Sequence, residues 1–248
     1  MAKVDLVMVT WDRLKYTKQA IDSLEKQDFE DWHLTIVDNG SKDGTRDYLL
    51  SLDGPKIDII LWNRNKGLST ATDYVFDRSN AKYVGRLDND TYVPRDWLKR
   101  CVKAHEQFDG FGFIGGMHFT PEQLENYEPI ISTYNGISVW EKDHIGGCSF
   151  LLKRRDYEEK IGGQGVMGLT DYQHAFKRKG LVNGYLYPFI WVDHMEYGHS
   201  PRNIRDEEYE DYCLRVRGMA TLDYTQEQNT AEYHIAYLKQ NTNETTQN

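Results

Sequence analysis

Two carboxylates one residue apart, Asp88 and Asp90, close the apolar run Tyr83–Leu87 in YVGRLDNDTYVP. Arg86 is their one basic neighbour in sequence. Desolvated together, two such groups repel, and a divalent cation is one means of making the arrangement favourable. Oxygen ligands of this kind suit Mg²⁺ or Mn²⁺, cations that also bind substrate phosphates. Three earlier runs stop on polar residues in the same way. VDLVMVT ends at Thr10, and HLTIV is followed by Asp38 in IVDNGSKDGT. A carboxylate there can accept from a nucleobase N–H or a ribose hydroxyl, with Gly40 and Ser41 permitting a tight turn. In NRNKGLSTA, Asn63, Arg64, Asn65 and Lys66 precede Gly67 at a helix start, an environment suited to pyrophosphate.

These residues need elements to hold them, and the chain alternates β-branched runs with amphipathic helical stripes, the mark of a parallel sheet covered by crossovers. Val4 to Thr10, His33 to Val37, Ile57 to Trp62 and Tyr83 to Leu87 read as strands. Between and after them, helices are expected from Leu14 to Leu24, Thr45 to Leu52, Gly67 to Phe76 and Pro94 to Phe108. In an open α/β sheet the C-terminal strand ends share one edge, where ligands bind. Beyond Gly110 the pattern loosens. Strands of a mixed sheet are expected in 112–119 and 144–154, separated by a site-forming insertion, 120–143. Lys153 to Gly168 reads as a glycine-rich mobile stretch, Leu169 to Lys179 as a helix closed by Gly180, and VNGYLYPFIWV as a strand. The reading divides the chain into a catalytic domain, 1–200, and a helical extension with a frayed tail, 201–248.

The 248 residues suffice for one full core, and 39% hydrophobic with 28% charged residues is ordinary for a globular domain. A net charge of -9 argues against whole-surface nucleic-acid binding, which needs clustered Lys and Arg. Cys101, Cys148 and Cys213 are too scattered for a disulfide framework or a zinc knuckle, which fits a reducing cytoplasmic setting. No run approaches the roughly 20 apolar residues of a spanning helix, so no membrane attachment is expected.

Taken in order, VMVTWDR, IVDNGSKDGT, NRNKGLSTA, GRLDND and GLTDYQHAFKRKG resemble the motif series of the GT-A glycosyltransferases, specifically the inverting family 2, over about residues 4–195. The resemblance implies a GT-A α/β fold, a nucleoside diphosphate sugar donor, UDP-linked for preference, and Mn²⁺ or Mg²⁺ as cofactor. It places Thr10, Arg13, Asp38, Asn65, Gly67, Arg86 and Asp88 at the donor, in a nucleotide-binding half, 1–110. Asp88, Asp90 and His194 become metal ligands, and Asp171 the catalytic base, although Thr170 stands where the family usually carries Glu. Asp143 and Glu159 are substitute bases, and His199 shares the His194 segment IWVDHMEYGHSP. The Q-x-x-R-W signature of processive synthases is absent.

The chemistry is coherent in itself: a carboxylate such as Asp171 can take the proton of an attacking hydroxyl. The acceptor is expected to meet Trp140, Trp191 and His199 in the half 111–200. Saccharides, small molecules and hydroxymethylated DNA are all candidate acceptors, the last only if the basic residues of 153–155 and 177–179, with Arg202 and Arg205, converge on the catalytic carboxylate. Two other readings are a noncatalytic nucleotide-sugar binding module and a nucleotidyltransferase. The second lacks its glycine-rich basic loop after the first strand.

Overall fold

The computed structural model describes residues 2–118, 128–161, 168–197, 200–204 and 206–207. Four parallel strands, β1 (Val4–Thr10), β2 (Trp32–Asp38), β3 (Ile57–Leu61) and β4 (Tyr83–Leu87), alternate with helices α1 (Leu14–Glu25), α2 (Thr45–Ser51) and α3 (Leu68–Phe76). The short β5 (Thr91–Tyr92) and α4 (Trp97–Gln107) follow, then β6 (Phe111–Gly115), β7 (Ile131–Tyr134), β8 (Ile137–Glu141) and β9 (Ser149–Lys153). The chain continues through α5 (Arg154–Ile161), α6 (Leu169–Arg178), β10 (Val182–Tyr187) and β11 (Asp193–His194). Nine strands form one sheet in the order β3-β2-β1-β4-β9-β6-β10-β8-β7, while β5 and β11 pair separately. The sheet is parallel through its first four strands and mixed beyond them, because β9 runs antiparallel to both β4 and β6.

Strand alternation decides which side chain goes to which face. Val4, Leu6 and Met8 join one core layer with Tyr16, Ile21 and Leu24 of α1 and Trp97, Leu98 and Cys101 of α4. Val7 points the other way, with Val84, into a layer formed by Ala71, Val75 and Phe76 of α3, Tyr157 of α5, and Tyr172 and Phe176 of α6. Both faces of β1 are therefore dry, which is why its sequence is a nearly unbroken apolar run.

Two expectations are corrected. The segment 120–143 is not wholly a site-forming insertion: residues 131–141 form a β-hairpin that extends the sheet. Asn135 and Gly136 turn it with φ 49° and 80°, the double left-handed geometry that an Asn-Gly pair supports most readily. The stretch 153–168 is not a mobile glycine-rich loop throughout, since Arg154–Ile161 is helical. Tyr157 of that helix and Tyr172 of α6 both donate to Asp73 Oδ1 in α3, at 3.2 and 3.0 Å, locking three helices together. The expected extension from residue 208 onward lies outside the described residues.

Candidate active site

The C-terminal ends of β1, β2, β3 and β4 lie on one edge, and their loops are tied to one another. At the end of β1, Asp12 and Arg13 take left-handed φ values of 59° and 64°. Such backbone costs on the order of 1–3 kcal/mol per residue and persists only where neighbours over-determine it. They do so here: the Asp12 N–H donates to Ser41 Oγ at 2.7 Å, and Asp12 Oδ1 accepts from the Lys42 N–H at 2.6 Å. Asp43, 29 residues away in sequence, supplies the acceptor for the first N–H of α1, at Leu14. Asn39 donates to Asn65 Oδ1 and accepts from the Lys66 N–H, each at 2.8 Å. The loops after β1, β2 and β3 thus form one polar shelf.

Several residues expected at the donor are part of this shelf or support it. Asp38 is fully buried, its oxygens accepting from the Gly40 and Ser41 N–H groups. Thr10 is also fully buried, and its Oγ1 accepts from Asn89 Nδ2 at 3.1 Å. Asn65 and Gly67 are exposed on the shelf, with the Gly67 N–H donating to Asn65 Oδ1 at 2.8 Å.

Beside the shelf lies an acidic corner that no single stretch of sequence contains. β11 pairs with β5, setting His194 opposite Thr91, and the Met195 N–H donates to Asp90 O at 2.8 Å. One donor atom each from Asp90, His194 and Glu196 lie within 4.8 Å of one another. Arg13 reaches into the same corner: its Nη1 lies 2.7 Å from Asp90 Oδ2 and 2.6 Å from Glu196 Oε1, and its Nη2 donates to Asn89 at 2.8 Å. Tyr197 stacks on the His194 ring with centroids 4.4 Å apart, and His194 Nδ1 is buried without a hydrogen-bond partner. Asn203 Nδ2 reaches the carbonyls of Met195, Glu196 and Tyr197 at 2.9, 3.0 and 3.2 Å, clasping the turn that carries Glu196.

The two motif aspartates sit in different fields. Burial pushes the Asp88 carboxyl up and Asp90 adds to the push, with Arg86 Nε, 2.8 Å from Asp88 Oδ1, offsetting part of it. The Asp88 side chain keeps 23% of its surface exposed, so solvent tempers that rise. Burial acts on Asp90 too, but Arg13 and His194 outweigh it and hold Asp90 below the usual carboxylate range. Three residues meant to bind one ion are thus not equivalent: Asp88 faces Arg86, while Asp90 shares its corner with Glu196. The sequence reading leaves Glu196 unassigned and omits His118, whose ring lies 6.5 Å from that of His194. Burial, with His194 and His144 nearby, depresses His118 to about 4.

Gly147 connects the corner to α6. A Cβ there would fall 2.3 Å from Arg86 Nη2 and 2.4 Å from Leu169 Cδ2, so the buried guanidinium and the start of α6 meet over a residue without a side chain. Asp171 is exposed in the first turn of that helix. The substitute base Asp143 instead pairs with Lys177 in the last turn, at the other end of α6. The side chain of Glu159 lies outside the described residues.

Trp140, expected at the acceptor, is 6% exposed and packs against Tyr185 and Phe189 in the core. In β8 it stands opposite Tyr185 of β10, a placement that shows only once the strand register is known. Trp191 is half-buried, edge-on to Phe189, which is in turn edge-on to the exposed Tyr187. His199 and Arg205 lie outside the described residues. The basic residues of 153–155 do not converge on the corner. Lys153 pairs with Tyr83 at the start of β4, whereas Ser149 pairs with Leu87 at its end, so the basic run is at the opposite edge of the sheet. There Lys153 and Arg155 are paired with Asp109, and Arg154 with Glu158. Of the basic residues named for a DNA acceptor, those of 153–155 therefore lie away from the corner, while Arg202 pairs with Asp193 of β11.

No helix among the described residues is long and apolar enough to cross a membrane. The family model for glycosyl transferase family 2 matches residues 5–180. A Bacillus subtilis protein named as a teichuronic acid biosynthesis glycosyltransferase is 27% identical over 165 residues, 64% of this chain and 64% of its own length. An Escherichia coli protein named as a colanic acid biosynthesis glycosyl transferase is 27% identical over 179 residues, 68% of this chain and 63% of its own. The chain therefore matches a little under two thirds of either relative's length. Among solved structures, a Pyrobaculum calidifontis mannosyltransferase in complex with GDP-Man and Mn²⁺ superposes with TM-score 0.63 at 17% identity, over 93% of this chain and 69% of that one. With its shelf at the parallel strand ends and a family match across most of its length, the chain belongs to glycosyltransferase family 2 and has the GT-A fold.

Proposed function

We propose that the protein transfers a sugar from a nucleoside diphosphate donor to a hydroxyl acceptor by a single, inverting displacement that depends on a divalent cation. The observation that carries this reading is the convergence of Asp90, His194 and Glu196 beside the polar shelf, with a buried imidazole nitrogen lacking a partner. That donor set of two carboxylates and an imidazole suits Mn²⁺ or Mg²⁺. Asp90, His194 and Glu196 would hold the ion, with Asp88 at the ribose side; bound there, it supplies charge stabilisation for the leaving diphosphate.

The chain's own groups do the rest. The shelf of Asn39, Asn65 and Gly67 receives the nucleotide, and Asp38 acts by holding the shelf's turn in shape. Arg86, anchored to the Gly147 carbonyl at 3.0 Å, fixes Asp88. Asp171 takes the proton from the acceptor hydroxyl as it attacks the anomeric carbon, opposite the diphosphate. The anomeric centre inverts, and no covalent sugar intermediate forms. Residues 1–110 serve the donor and 111–200 the acceptor, with Tyr187, Phe189 and Trp191 as the sugar-facing aromatic row. Two buried cysteines that are not paired with each other, Cys101 and Cys148, support a cytoplasmic setting.

The test is donor turnover with UDP- and GDP-sugars, each with Mn²⁺ and with EDTA. Turnover of one donor class that EDTA abolishes is expected; turnover indifferent to chelation would sink the cation dependence. Asp171→Asn should lose transfer while binding donor normally, and ordinary transfer by that variant would move the base elsewhere.

A further inference from the structure

Arg13 takes an unusual place for a residue of the donor loop. One of its nitrogens bridges two carboxylates, Asp90 and Glu196, whose side chains are only 7% and 8% exposed. The Arg13 side chain is itself 15% exposed, and its second terminal nitrogen, Nη2, is anchored on Asn89. Asn89 is fixed from below by Thr10 and Thr17, and the Arg13 backbone is held left-handed by the loop beside it. This side chain is therefore built into the corner rather than resting on it.

Resting on the cation reading above, we propose that Arg13 is a resident counter-cation: it neutralises Asp90 and Glu196 until a divalent ion arrives, and must release them for the ion to bind. The physical reason is a competition for the same oxygens. Two buried carboxylates this close cannot both stay charged without a cation between them. A guanidinium supplies one charge and a fork of donors, whereas a divalent ion supplies two and bonds to the oxygens directly. Breaking a buried ion pair is costly, so the ion's apparent affinity is reduced by the work of displacing Arg13. The pair sets the cation threshold at which the site becomes competent. It also keeps the corner folded when no ion is present.

The experiment measures Mn²⁺ binding without donor, by the loss of the free-ion electron paramagnetic resonance signal, for the unaltered chain, Arg13→Met, Arg13→Lys and Asp90→Asn. Arg13→Met should bind Mn²⁺ about tenfold more tightly or better, tenfold being about 1.4 kcal/mol. Arg13→Lys, which keeps the charge but loses the fork, should fall between them. Equal or weaker binding by Arg13→Met overturns the proposal while leaving the cation reading standing. No binding by any of the four proteins overturns the cation reading itself. A second measurement needs no variant: Mg²⁺ titration of the unaltered protein should remove the exchange-protected Arg13 Nη–H resonances. Resonances that survive saturation with Mg²⁺ would show that Arg13 never lets go.

Discussion

The polar shelf and the acidic corner adjoin, yet they are built in opposite ways. The shelf is made of loops that follow successive strands, and its bonds join neighbours in the sheet, such as Asn39 with Asn65, 26 residues apart. The corner joins Arg13 to Asp90 and Glu196, 77 and 183 residues away. One is stabilised by many separate hydrogen bonds, each worth about 1 kcal/mol between neutral groups and about 1.5–3 kcal/mol where a carboxylate accepts. The other depends on a few buried charges, where removing one partner costs about 3–5 kcal/mol. The shelf should therefore tolerate single losses that the corner cannot.

The sharpest way to break this contrast is Asp90→Asn. It should lower cation-dependent turnover by roughly a thousandfold, since a bound cation contributes several kcal/mol to charge stabilisation. Retained turnover in a steady-state assay would mean the corner is not the catalytic centre. A more discriminating change is Asn203→Ala, which removes the clasp on the Met195–Tyr197 turn without touching a carboxylate. We expect about 10–100-fold weaker Mn²⁺ binding, as for other supports of metal ligands. Calorimetric titration showing donor affinity falling instead would blur the line between the two regions.

Acidity offers a third probe. Burial holds His118 neutral in the folded protein down to about 4, against an ordinary value of 6.5, so the unfolded chain binds the extra proton between those limits. Its stabilising contribution is complete above pH 6.5 and is lost as pH falls toward 4, with a slope of at most about 1.4 kcal/mol per pH unit. Urea unfolding in chelator should show that slope flattened in His118→Gln, and an unchanged slope would mean His118 does not titrate with folding. The smallest effect belongs to the shelf. Asn39→Ala should cost about 1 kcal/mol of stability by the same unfolding assay, and reduce donor affinity only several-fold. A loss as large as that of Asp90→Asn would erase the distinction.

Much of the fold of residues 1–110 is readable from the chain alone. VDLVMVT reads as a strand because both its faces are dry, and it spans Val4–Thr10 as expected. Helix ends were less readable: α1 is capped by Asp43 from another loop, a partner that no local signal announces. The 131–141 hairpin carries its signal in Asn135-Gly136, between alternating residues, but the polar residues around it make 120–143 read as one longer insertion. Trp140 is ambiguous in sequence because an aromatic side chain suits a sugar platform and a core equally well, and only its burial in the folded sheet distinguishes the surroundings of the two.

What the amino-acid order determined by itself was the set of polar strand ends, since backbone alternation and turn chemistry act over a few residues and place them on one sheet edge. The union of Arg13, Asp90, His194 and Glu196 was decided only by tertiary structure. It rests on a two-residue strand, β11, pairing with β5 across a gap of about a hundred residues, and on Asn203 holding the following turn. Buried charges interact through space in a poorly screening interior, so their partners are set by where the folded chain returns.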